Sequence, residues 1–128
     1  MNFVASFSEF ETVHDSGTPQ VVSTEIVADM ETPVSAFLKL AEDRANSFLL
    51  ESVEGGAVRG RYSIIGLKPD MIWRAHGNKA EINRSARFDP EAFEPLEKPT
   101  LDAFRDLLAE NHIDLPPNLP PMAAGLAG

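Results

Sequence analysis

The sequence of 128 residues contains no cysteine, which excludes a disulfide framework, a thiolate nucleophile and a zinc–thiolate centre, and suits a reducing compartment. Positive charge is scarce: 11 Lys and Arg stand against 20 Asp and Glu, for a formal net charge of -9 at pH 7. With no basic stripe to offset that charge, a phosphate backbone is repelled, and nucleic acid is not expected as a partner. Long apolar runs are missing too. No stretch approaches the roughly 20 residues of a membrane span, and Met1 to Phe10 lacks the basic start and apolar core of a secretory signal. These absences point to a cytoplasmic protein. What is present is ordinary for a globular chain, 43% hydrophobic and 24% charged residues, enough for one domain's core.

The apolar spacing orders this material into elements. Phe7, Phe10 and Val13 recur at threes from Ser6 to Asp15 and predict a short amphipathic helix, broken by Ser16-Gly17-Thr18-Pro19. Gln20 to Ala28 is β-branched and reads as a strand or extended arm. Thr32 as N-cap and Pro33 at the first helical position open a second helix, with Val34, Phe37, Leu38 and Ala41 on one face, running to about Arg44. Ser47 to Val53 and Arg61 to Leu67 flank Glu54-Gly55-Gly56-Ala57 and predict a hairpin, since paired glycines accept positive φ at no steric cost. Met71 to Ala75 and Ala80 to Asn83, separated by turns at Lys68-Pro69-Asp70 and Gly77-Asn78, extend it into an antiparallel meander. Arg84 to Pro99 is expected as an exposed loop, and Thr100 opens a third helix ending near Asn111 or His112. Met122 to Gly128 reads as a small-residue strand that stops without a cap, so the chain is expected to be the N-terminal piece of a longer protein. The fold class is α+β, an antiparallel sheet of four or more strands with two or three helices.

Candidate chemistry is thin. His14, His76 and His112 stand in no metal-ligand spacing and read as surface or turn residues. Gly55-Gly56-Ala57-Val58-Arg59-Gly60 lacks the Gly-Lys-Ser/Thr ending and the strand-to-helix setting of a phosphate loop. Trp73 and Tyr62 are most simply core packing. Glu51 and Ser52 remain, a carboxylate and a hydroxyl ending the apolar Phe48-Leu49-Leu50 run. With a nearby Arg they complement the ammonium and carboxylate of an amino acid. Pairing of Glu51 with Arg59 or Arg61 across the hairpin accounts for the same residue types without any ligand. Strand alternation sends Glu51 and Ser52 to opposite faces unless a bulge or strand end intervenes.

Three blocks carry more. Thr32-Pro-Val-Ser-Ala-Phe-Leu-Lys-Leu40, Ser47-Phe-Leu-Leu-Glu-Ser-Val-Glu54 and Gly60-Arg-Tyr-Ser-Ile-Ile-Gly66, in this order and spacing, resemble the N-terminal region of anthranilate synthase component I, a chorismate-utilising enzyme. Leu119-Pro-Pro-Met-Ala-Ala-Gly-Leu-Ala-Gly128 is similar to the stretch before that family's central strands, although Met122-Ala123-Ala124 replaces the Phe or Arg and paired glycines of many members. The resemblance implies that residues 1–128 are a regulatory region preceding the chorismate-binding domain, part of a larger two-sheet α/β/β/α sandwich. It implies a full-length lyase that converts chorismate and ammonia, delivered by a glutamine amidotransferase subunit, to anthranilate and pyruvate with magnesium. This is the first step of tryptophan biosynthesis. The chorismate and magnesium motifs of the family are absent here, so the piece alone is expected to be inactive. The resemblance makes Ser52 a contact to L-tryptophan as feedback inhibitor, with Glu51 shaping the pocket and Leu50 and Arg61 lining it. Aminodeoxychorismate synthase component I, of the folate branch, shares the architecture and stays open, as does a stand-alone tryptophan-binding module. Self-association is expected of the isolated piece.

Overall fold

In the computed structural model, residues 2–3, 6–51, 62–120 and 122–128 are described, the first two as backbone only. The chain divides into two compact units, one of residues 1–29 with 105–128, the other of residues 30–104.

The first unit holds strand β1 (Asn2–Phe3), helix α1 (Phe7–Asp15) and strand β2 (Thr24–Glu25), with β1 and β2 antiparallel. Helix α1 begins where expected because Ser6 and Glu9 form a reciprocal capping box: the Ser6 backbone N–H donates to Glu9 Oε2 at 2.7 Å and the Glu9 N–H donates to Ser6 Oγ at 3.3 Å. The Ser6 backbone N–H, and after it the Ser6 hydroxyl donating to Glu9 Oε2 at 2.8 Å, hold the Glu9 carboxyl below its ordinary value. The helix stops at Gly17, whose φ of 73° suits glycine. The extended arm pairs only at Thr24–Glu25. The small-residue strand expected at the other end is instead a series of bends over 123–125, entered through a turn in which the Ala123 N–H donates to Pro120 O at 2.9 Å.

The second unit opens with helix α2 (Pro33–Ala41). Its start is a layered cap: Thr32 Oγ1 accepts from the Ser35 N–H at 3.1 Å, the Thr32 N–H donates to Ser35 Oγ at 2.8 Å, and Ser35 Oγ donates to Glu31 Oε2 at 2.6 Å. Lys39, two turns on, pairs with the same Glu31 carboxylate. The helix ends with the last residue of its apolar face, three residues short of the expected Arg44, because Glu42 turns the backbone to φ 50°, ψ -131°. Of that face, Ala41 is buried and Phe37 half-buried, while Val34 and Leu38 are exposed.

Strands β3 (Phe48–Glu51) and β4 (Ser63–Gly66) form the expected antiparallel hairpin, in register from Phe48 opposite Gly66 to Glu51 opposite Ser63. The glycine turn expected at 54–57 lies outside the described residues. The single four-stranded meander is not found. Among the described residues β4 does not pair with the next strand, and β5 (Ile72–His76) and β6 (Lys79–Asn83) build a separate sheet. A third strand, β7 (Glu94–Pro95), joins it from within the segment expected to be a loop. Proline-rich composition argued for a loop there, yet an edge strand tolerates proline because one side of it needs no ladder donor. The core of this unit lies on this sheet: Ala80 and Ile82 are buried, and Trp73 packs on Phe104 of helix α3 (Thr100–Glu110), ring centroids 5.4 Å apart. Helix α3 is tied to the β5–β6 turn, Thr100 Oγ1 donating to Gly77 O at 2.7 Å. The class is α+β, with three helices and small antiparallel sheets among the described residues.

Candidate functional site

Of the four residues singled out for ligand contact, Ser52 and Arg61 lie outside the described residues, and so does the alternative pairing of Glu51 with Arg59 or Arg61. Leu50 and Glu51 form the described end of β3. The ladder runs through Phe48, Leu49, Leu50 and Glu51 without a bulge, so Leu50 and Glu51 face opposite sides of the hairpin. Leu50 shares its face with Phe48, Ile64 and Gly66; Glu51 shares the other with Leu49, Ile65 and Ser63. Leu50 is 46% exposed, and Glu51 is exposed as well. An apolar side chain on one face and a carboxylate on the other, both exposed at one strand end, can touch one ligand only if it reaches around that end.

Two features that the sequence did not announce position this strand. The Phe48 ring lies directly over Gly66: a Cβ built on Gly66 would come within 2.2 Å of it. Glycine at 66 is therefore a packing requirement, and its removal would push Phe48 out along the face that Leu50 shares. The second is the connection that feeds β3. Glu42 and Asn46 both have positive φ, 50° and 57°, within the short segment between α2 and β3, and α2 packs against β3. Neither residue is glycine, which is why turn composition gave no signal.

Elsewhere the polar groups are structural. Asn83 is fully buried; its Nδ2 donates to Asp89 O at 2.7 Å and its Oδ1 accepts from the Ser85 N–H at 2.8 Å, fixing the segment after β6. Arg74 pairs with Glu81 across the strands and lays its guanidinium over the Phe93 ring, 3.6 Å from the centroid. Trp73 is the packing residue expected of it, although its buried indole N–H has no partner among the described residues. Tyr62 is exposed. His14, His76 and His112 are exposed, and His14 stacks on Phe10 at 5.6 Å. Among the described residues no three His, Asp or Glu side chains converge. No helix among the described residues is long and apolar enough to cross a membrane.

Comparison with known proteins gives one consistent answer. The chain is 53% identical over 125 residues to anthranilate synthase component 1 of Cereibacter sphaeroides, a match covering 98% of this chain and 25% of that protein. It is 36% identical over 124 residues to the protein of the same name from Synechocystis, covering 95% of this chain and 23% of that one. With the Pseudomonas putida protein, again anthranilate synthase component 1, identity is 39% over 114 residues, 84% of this chain and 21% of that one. The chain thus spans about a quarter of the length of the curated relatives it matches. No family model matches it, and no solved structure does.

Proposed function

From a chain that matches anthranilate synthase component 1 over nearly all of its length, we propose that residues 1–128 are the N-terminal, tryptophan-sensing region of such an enzyme. The parent is a lyase that converts chorismate and ammonia to anthranilate and pyruvate, the ammonia coming from a glutamine amidotransferase subunit. Chorismate and magnesium are handled by the chorismate-binding domain of the same chain, and this region alone does not catalyse. The observation that carries the reading is the 53% identity running through 98% of the chain, the segment of Leu50, Glu51 and Ser52 included.

In this reading L-tryptophan binds at the end of β3. Ser52 supplies a hydroxyl, Glu51 a carboxylate suited to the ammonium, Leu50 an apolar contact and Arg61 a partner for the ligand carboxylate. Occupation lowers the competence of the distant chorismate site by a coupling of about 1–3 kcal/mol. The exposed Val34, Leu38 and Leu40 of α2 supply surface for the rest of the polypeptide to cover, and in the isolated chain they promote self-association. Steady-state inhibition of the full-length enzyme tests the site. Ser52→Phe abolishes sensitivity to L-tryptophan while chorismate turnover persists, and unchanged sensitivity would remove the assignment. Product analysis tests the reaction, since aminodeoxychorismate in place of anthranilate would move the protein to the folate branch.

A further inference from the structure

The connection between α2 and β3 carries a backbone conformation that its sequence does not favour. Glu42 sits at φ 50°, ψ -131°, and the Arg44 N–H donates to Ala41 O at 3.0 Å. This is the geometry of a type II′ turn with Glu42 as its second residue, a position dominated by glycine because a Cβ there meets the backbone. The Glu42 side chain offers little in return, its one ion pair among the described residues being a 3.6 Å contact to Arg44 between exposed groups. Asn46, also at positive φ, and Ser47, whose Oγ donates to Arg44 O at 2.7 Å, complete the link into Phe48. On one side of the turn Ala41 is fully buried and on the other the β3–β4 ladder begins. The turn is thus held from both ends in a form that it would leave if either end loosened.

We infer that Glu42 is a positioning residue: its strained turn acts as a spring between α2 and β3, easing displacement of the strand that ends at Leu50 and Glu51. This rests on the proposed tryptophan site for its ligand but not for its mechanics. A strained connection lowers the cost of local opening in the hairpin and leaves the β5–β6–β7 sheet untouched. A ligand at the strand end must then pull the strand back, so part of its affinity is spent holding the turn. Glycine at 42 removes the spring without disturbing any side-chain contact beyond the weak pair with Arg44.

The test is hydrogen exchange and L-tryptophan titration of the full-length protein, comparing wild type with Glu42→Gly and Glu42→Ala. In Glu42→Gly, exchange at residues 48–51 and 63–66 slows by about fivefold while residues 72–83 change by less than about twofold, and L-tryptophan binds several-fold more tightly. Glu42→Ala keeps the Cβ and reproduces neither effect, which separates backbone strain from loss of the carboxylate. Equal slowing in both sheets, or none in the hairpin, overturns the inference. If the wild type takes up no L-tryptophan, the sensor reading falls, and the exchange comparison still decides the role of the turn.

Discussion

The two β structures of residues 30–104 share a chemistry and differ in what they do with it. The β5–β6–β7 sheet hides its apolar residues: Ala80 and Ile82 are buried, Trp73 lies on Phe104, and the fully enclosed Asn83 is satisfied on both sides. The β3–β4 hairpin is the more apolar in sequence, yet Leu50 is 46% exposed and the α2 side chains Val34 and Leu38 stand open. A self-contained sheet serves as support, whereas a hairpin with uncovered faces retains surface for something else to meet. The residues read as tryptophan contacts all lie in or beside the second.

Truncation in the core should sharpen that contrast most. Ile82→Ala, at a position 3% exposed, lowers the unfolding free energy by about 3 kcal/mol in urea denaturation. Asn83→Ala strands the Ser85 N–H and the Asp89 carbonyl and costs about 2 kcal/mol in the same measurement. Gly66→Ala is the corresponding challenge to the hairpin: the new Cβ evicts the Phe48 ring, at about 1–2 kcal/mol, since a half-buried ring can swing toward solvent. Leu50→Ala costs under about 1 kcal/mol. On the proposed reading its effect falls instead on L-tryptophan affinity, measured by calorimetry of the full-length protein. A stability loss at Leu50 equal to that at Ile82 would break the comparison.

The smallest effect is electrostatic. Hydrogen bonds from Lys39 and then Ser35 hold the Glu31 carboxyl below its ordinary value in the folded chain. A group whose folded value is lowered stabilises the fold above its unfolded value and loses that contribution as pH falls through the folded one. The cap of α2 therefore weakens on acidification below the usual glutamate range. Side-chain NMR titration detects the low value, and Glu31→Gln, which cannot titrate, removes this component of the acid sensitivity.

Much of this architecture was readable in the chain. The start of α2 is signalled by Thr32 with Pro33, because caps are local chemistry, and α1 by the spacing of Phe7, Phe10 and Val13. The pairing of the two apolar runs as an antiparallel hairpin was legible, whereas its register, Phe48 opposite Gly66, comes from the ladder alone. Residues 94–95 were not legible as a strand, since a two-residue edge strand carries no periodicity and its proline argues against one. Nor was the early end of α2, where a glutamate adopts a conformation that composition assigns to glycine. Ser52 stood out with Glu51 as a polar pair ending an apolar run, but only the resemblance of whole blocks gave it, and Arg61, a ligand. Glu51 and Leu50 were legible as a strand end, and the ladder adds that they face opposite ways.

The placement of Trp73 has a practical optical consequence. It is the chain's single tryptophan and lies against Phe104 in the β5–β6 part of the fold, so its emission reports loss of packing in the support. The single tyrosine, Tyr62, adjoins β4 at the hairpin. Excitation selective for indole follows one structure, and tyrosine emission the other. Added L-tryptophan contributes the same fluorophore as Trp73, so ligand uptake is best followed by heat, and the intrinsic signal kept for unfolding.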